Sequence, residues 1–214
     1  MHSEVLIVAV AGRRPRIECR GGLAARATLP DTVHLVSAAA TPLGGDTISV
    51  RVVVAAGARL RLCSVAATVA LPGPVTRRSH ADYTFEVAGC LDVDLEPTVV
   101  AADARHESAV LAAVDEAGEL RLRERVQIGR TGEGQGFWSG ALRVDVKGQP
   151  LLRHRLELGA GSPGDDILAA PRACVSELRY PGDAQSPADA GSTVLELAGG
   201  GVLTTWQGAR LRPL

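Results

Sequence analysis

Aromatic side chains are nearly absent from this sequence: two Trp, two Tyr and two Phe in 214 residues. Stacking platforms for sugars or bases are correspondingly thin. Lysine is almost missing too. Lys147 is the only one, so arginine supplies nearly all the positive charge. With abundant Ala, Gly and Val, this reads as the coding bias of a GC-rich genome and not as anion recognition. Neither sign of charge is in excess: 23 basic residues face 24 acidic ones, for a net charge of −1. That excludes nucleic-acid or membrane-surface binding driven by bulk charge.

Catalytic and metal signatures are missing as well. Cys19, Cys63, Cys90 and Cys174 form no CxxC or CxH spacing. His2, His34, His80, His106 and His154 show no HxH, HxxH or HExxH pattern, so no sequence-local metal box exists. GxSxG is absent, and "GRTGEGQG" at 129–136 lacks the Gly-Lys-Ser/Thr ending of a phosphate loop. "MHSEVLIVAVAGRRPR" has no basic segment before its apolar run and meets Arg13 and Arg14 too soon for a signal peptide. Its apolar run is also far short of the ~20 residues that span a bilayer. The expectation is a cytoplasmic chain with free thiols.

What is present is alternation. In "TISVRVVV", Ile48, Val50, Val52 and Val54 share one face, and Ser49 and Arg51 take the other. "ARLRLC", "ADYTFEV", "CLDVDLE" and "ELRLRERVQI" repeat the period of two, with Leu120, Leu122, Val126 and Ile128 of the last opposed to Arg121, Arg123 and Arg125. Half-buried strands follow. Turns at Ala56-Gly57, Ala88-Gly89, Ala117-Gly118, Lys147-Gly148-Gln149-Pro150 and Gly199-Gly200-Gly201 punctuate them. Read as hairpin turns, they predict a predominantly antiparallel β protein. The best helix candidate is "DDILAAPRACVSELRY", with Asp165 or Asp166 as caps and Pro171 as a break. No domain boundary is expected before residue 159, and 159–214 reads as a C-terminal subdomain of mixed character.

Two constellations stand out. Glu96, Asp103, His106 and Glu107 lie close together in "EPTVVAADARHE", where oxygen and imidazole donors suit a borderline metal such as nickel or zinc. Cys63 shares the face of Arg59 and Arg61, whose charge would lower its pKa if they lay near it. His154 alternates with Leu152 and Leu156 and reads as a core histidine.

"GGDTISVRVVVAAGARLRLCSVAAT" resembles the Gly-Gly-Asp strand and Gly-Ala turn of the UreD (UreH) family of urease accessory proteins. "LEPTVVAADARHES" and "RERVQIGRTGEGQGFWSGALRV" resemble two further family segments in the same order, so the likeness covers about residues 30 to 160. The matching positions are Gly44, Gly45, Asp46, Gly57, Ala58, Ala66, Ala67, Thr68, Glu96, Pro97, Gly129 and Arg130. Many members carry Thr-Thr-Gln where this chain has Cys63, Ser64 and Val65. The chain is also shorter than most relatives.

The resemblance implies an all-β fold of stacked, helically arranged sheets with one or two short helices near the C-terminal part. It implies a non-enzymatic role in urease maturation, as a scaffold between apo-urease and a complex of UreF with the GTPase UreG. Nickel would be a transient cargo and no cofactor tightly bound, with Glu96, Asp103 and His106 as weak candidates for lining its route. The alternatives from the residues alone are a β-rich enzyme with dispersed groups and a small-molecule-binding β module.

Overall fold

A computed structural model of the chain describes residues 1–165, 170–183 and 191–211, and its regular structure is β throughout. The strands are β1 (His2–Ala9), β2 (Arg16–Arg20), β3 (Leu23–Leu29), β4 (Thr32–Ser37), β5 (Thr47–Val54) and β6 (Arg59–Ser64). They continue as β7 (Thr68–Ala70), β8 (Arg78–Val87), β9 (Cys90–Asp94), β10 (Thr98–Val100), β11 (Arg105–Val114) and β12 (Glu119–Ile128). The last are β13 (Phe137–Val146), β14 (Gln149–Gly159), β15 (Ala173–Tyr180), β16 (Thr193–Glu196) and β17 (Val202–Gly208). No helix among the described residues is long and apolar enough to cross a membrane.

Two sheets result. One has seven strands in the order β14-β13-β11-β8-β5-β1-β2. The other has ten, running β16-β17-β15-β12-β9-β6-β4-β3, with β10 beside β12 and β7 beside β10. From Thr47 to Ile128 the chain winds as a solenoid. Each coil places one strand in the seven-stranded sheet and the next in the ten-stranded one, and the following coil stacks on it. Pairings β5–β8, β8–β11, β6–β9 and β9–β12 are therefore parallel.

The hairpin reading of the turns at Ala56-Gly57, Ala88-Gly89 and Ala117-Gly118 is corrected accordingly. Their flanking strands never pair with each other. A period of two tells which side of a strand is buried, but not whether the next strand lies alongside or in a facing sheet about 10 Å away. The hairpins at Lys147-Gly148 and Gly199-Gly201 do form, as β13–β14 and β16–β17. Stacked, helically arranged sheets are what the resemblance implies. The helix expected over residues 165–180 is strand from Ala173 onward, and residues 166–169 lie outside the described ones. Ala173 to Tyr180 prefers strand because it pairs with β12 and β17 on either side.

In-register stacking lines up like residues. Val52, Phe85, Ala112 and Val144 form one inward row, and Leu62, Val93 and Leu122 answer from the facing sheet. Nearly all are fully buried, and they anchor the larger apolar cluster. A smaller cluster gathers Ala70, Val100, Val126, Ile128, Trp138 and Leu158 at the other end of the coils.

The outer face of the ten-stranded sheet carries charge. Arg121 bonds Asp92 at 2.9 Å and Glu177 at 3.2 Å, while Arg123 reaches Glu177 at 2.6 Å. Burial alone would raise the Glu177 pKa, but bonds from Arg121, Arg179 and Arg123 pull it down to about 2. A depressed carboxylate stabilises the fold above its unfolded value of about 4.3, and that contribution is lost as pH falls towards 2. Thermal melts across this window should show a smaller acid-induced loss of Tm in Glu177→Gln than in the parent chain.

Gly57 has φ +72°, with Ala11 Cβ at 3.8 Å from where its own Cβ would sit, so conformation and not space restricts it. Gly57→Val should cost about 1–3 kcal/mol and reduce soluble yield. A variant that folded normally yet lost only partner binding would make this turn a contact surface instead.

Candidate functional site

Between the two apolar clusters the interior changes character. The inward row Val50–Tyr83–Val110–Leu142 is followed by Ile48–Ala81–Ser108–Gly140 and then by Ser79–His106–Trp138. From the facing sheet, Glu124 points inward, because Leu120, Leu122, Val126 and Ile128 on the same strand are buried by the same parity. Small and polar residues in these rows leave space. Three cavities follow one another here, of about 170 Å³, 50 Å³ and 10 Å³.

The cavities share walls. The largest, bordered by Ser37, Ser64 and Val65 at one end, meets the second at Tyr83, Glu96, Thr98 and His106. The second meets the third at Val110, Leu122 and Glu124, and the third ends at His154 and Ser176. Glu96, His106, Glu124 and His154 thus succeed one another along a seam whose other walls are largely apolar. Arg125 adds a further polar wall: its Nη2 bonds Asp94 at 2.9 Å and the Leu95 carbonyl at 2.6 Å. Its Nε is the one buried side-chain donor without a partner among the described residues.

His106 is buried, with Nδ1 at 2.9 Å from Ser79 Oγ. Burial, helped by the charge of His80, lowers its pKa to about 4. The imidazole is therefore neutral at physiological pH and fit to donate a lone pair. Glu124 is half-buried, accepts a bond from Ser108 Oγ at 3.3 Å, and forms no salt bridge among the described residues. Enclosure between the sheets pushes its pKa up to about 7, against the lowering effect of Ser108. The same enclosure, with the Glu124 charge nearby, raises Tyr83 to about 12. Burial also lowers the pKa of His154.

The sequence-predicted set is divided by the fold. Glu96 and His106 share the walls of two cavities. Asp103 does not join them. It sits exposed in a surface turn at φ +63° and pairs with Arg77 at 3.2 Å. Glu107 faces the opposite side of β11 from His106, bonding Arg78 at 3.1 Å. Among the described residues, no three His, Cys, Asp or Glu side chains converge on a metal-sized space. Cys63 does lie on the Arg61 face, but burial outweighs that arginine and its pKa is raised.

Glu124 and His154 are the functional candidates that the sequence reading passed over. The signal for Glu124 was its parity, since it breaks an otherwise apolar inward row. His154 carried an inward parity too, but nothing local says that its neighbours leave a cavity.

The motif residues build the frame. Gly44 has no room for a side chain, as a Cβ there would lie 1.8 Å from the Thr76 carbonyl oxygen. Gly45, at φ +97°, turns the chain so that Asp46 is buried. Burial opposes ionisation of Asp46. Bonds from the Leu43 N–H, the Met1 ammonium and the Thr41 hydroxyl nevertheless hold its pKa below the usual value. Ala58 is buried beyond the Gly57 turn. The Glu96 N–H donates to Ser64 Oγ at 2.9 Å, and the Pro97 carbonyl accepts from Thr68 at 2.9 Å, which fixes the cavity wall. Gly129, at φ +76°, donates to the Val100 carbonyl, while Arg130 closes the next loop on Glu133.

Residues 21–202 match the family model described as "UreD urease accessory protein". The chain is 40% identical over 194 residues to "Urease accessory protein UreD 1" of Saccharopolyspora erythraea, covering 87% of this chain and 75% of that one. It is 42% identical over 181 residues to "Urease accessory protein UreD" of Frankia alni, covering 81% of this chain and 57% of the relative. With "Urease accessory protein UreD" of Streptomyces coelicolor it shares 36% over 212 residues, or 89% and 82% of the two chains. The chain thus spans little more than half the length of the Frankia alni relative and larger shares of the other two. With the motif order, the solenoid they frame and a match over most of its length, the chain belongs to the UreD family of urease accessory proteins.

Proposed function

We propose that this protein acts in urease maturation as a non-catalytic scaffold that binds apo-urease and a UreF–UreG complex, and that the polar seam between its sheets is a route for nickel. The observation that carries this reading is the succession Glu96, His106, Glu124 and His154 along three cavities that share walls. A cargo ion must leave as readily as it arrives. Single oxygen and imidazole donors spaced along a passage suit that better than a closed tetrahedral site. Neutral His106 offers nitrogen without charge repulsion, and Glu124 offers a carboxylate where the second and third cavities meet. Family membership supports the partners, and β14, β2, β3 and β16 are the sheet edges among the described residues, where backbone can pair with them.

Glu124→Gln separates route from fold. A carboxyl whose folded pKa is raised to about 7 binds its proton more tightly in the folded state. Stability is therefore lost as pH rises from about 4.3 through 7. Glu124→Gln removes that loss, so its Tm at pH 8 should equal or exceed the parent's. Nickel-dependent activation of urease should nonetheless slow by roughly tenfold, the size of effect that disturbing one ligand contact brings. Unaltered activation by a well-folded Glu124→Gln would remove this residue from the route.

The scaffold role has its own test. Co-expression with UreF should raise solubility, and the pair should retain UreG and apo-urease on a column. Deleting the gene should leave urease subunits expressed but largely nickel-free. Fully loaded, active urease in the deletion strain at ordinary nickel levels would overturn the proposal.

A further inference from the structure

The outer face of the ten-stranded sheet holds a pairing that the chain order hides. β4 and β6 run parallel with His34 opposite Cys63. Val33, Leu35 and Leu62 are buried, so both side chains project outward, and both are half-exposed. Adjacent strands lie about 4.8 Å apart, while a metal takes about 2.3 Å to sulfur and about 2.0 Å to imidazole nitrogen. One ion can therefore bridge the two. His34 is already oriented: its Nδ1 lies 2.9 Å from Thr28 Oγ1, which leaves Nε2 as the coordinating atom.

We propose that His34 and Cys63 form a two-ligand surface site for a borderline divalent cation, next to one wall of the 170 Å³ cavity. Leu35, Val36, Ser64 and Val65, the next residues along the two strands, line that cavity. On binding, the metal replaces the thiol proton, which leaves to solvent, and water completes the coordination. A thiolate and an imidazole select zinc, nickel or cobalt over magnesium or calcium. The charged groups facing the pair are Arg26 beyond His34, Asp94 beyond Cys63, and Arg61 beside it. Arg61 is anchored by Asp92 and Asp94 at 3.7 Å each, so its charge is partly offset. Use of this site to load the interior rests on the nickel route proposed above; the binding itself does not.

Cobalt(II) titration of the purified protein tests it. A thiolate-to-cobalt charge-transfer absorption should saturate near one metal per chain, vanish in Cys63→Thr and require about tenfold more cobalt in His34→Ala. Cobalt should also protect Cys63, and not Cys19, from alkylation when peptides are read by mass spectrometry. Glu124→Gln should leave the absorption unchanged, so a failure of the interior route would not be mistaken for a failure here. The proposal is overturned if the absorption persists in Cys63→Thr, or if cobalt leaves Cys63 alkylation unchanged.

Discussion

In-register parallel stacking of the coils is the constraint from which the rest of this structure follows. Once Val52 is aligned with Phe85 and Leu62 with Val93, every other inward position is fixed by the period of two. A strand cannot turn one polar residue outward without turning its whole apolar set with it. Glu124 is therefore inside because Leu122 and Val126 must be. His106 is inside because Val110 and Ala112 must be. The solenoid imposes a polar seam wherever its inward rows contain polar letters, and it places that seam between two apolar clusters.

The two faces of β12 show how differently the same strand treats charge. Outside, Arg121 and Arg123 are held by Asp92 and Glu177, a network that pins the stacked strands to one another. Inside, Glu124 accepts a bond from the Ser108 hydroxyl, its one hydrogen bond among the described residues. Replacing it with an apolar residue would remove a desolvated carboxylate that contributes nothing evident to folding. A strongly perturbed group on a cavity wall is a candidate functional residue, and the nickel route proposed above gives Glu124 such a role. The large outer network can tolerate such a residue because its stability is gathered elsewhere in the sheet.

Much of this was legible in the sequence and some was not. The inward faces of β5, β6, β8, β9 and β12 are as the alternation of Ile48 to Val54, Leu60 and Leu62, and Leu120 to Ile128 requires. The parallel order was not legible, since a Gly-containing turn looks the same whether it closes a hairpin or crosses to a facing sheet. Glu96 and His106 were chosen for being close in sequence, and they share a cavity because β10 and its flanks bring them there. Asp103 was chosen for the same reason and faces solvent, because the turn that separates Ala101 from Ala104 carries it outward. Neither His34 with Cys63 nor Glu124 with His154 could be found from spacing along the chain. The first pair is brought side by side by strand register, and the second lines one cavity from opposite sheets.

The central claim is that a divalent cation can enter the seam between the sheets. Nuclear magnetic resonance of histidine-labelled protein during nickel(II) titration tests it directly, because the paramagnetic ion broadens nearby imidazole signals. The account predicts broadening of His106 and His154, which face the cavities, at nickel levels that leave the exposed His2 sharp. Broadening confined to outward-facing histidines, with His106 and His154 unchanged, would contradict it.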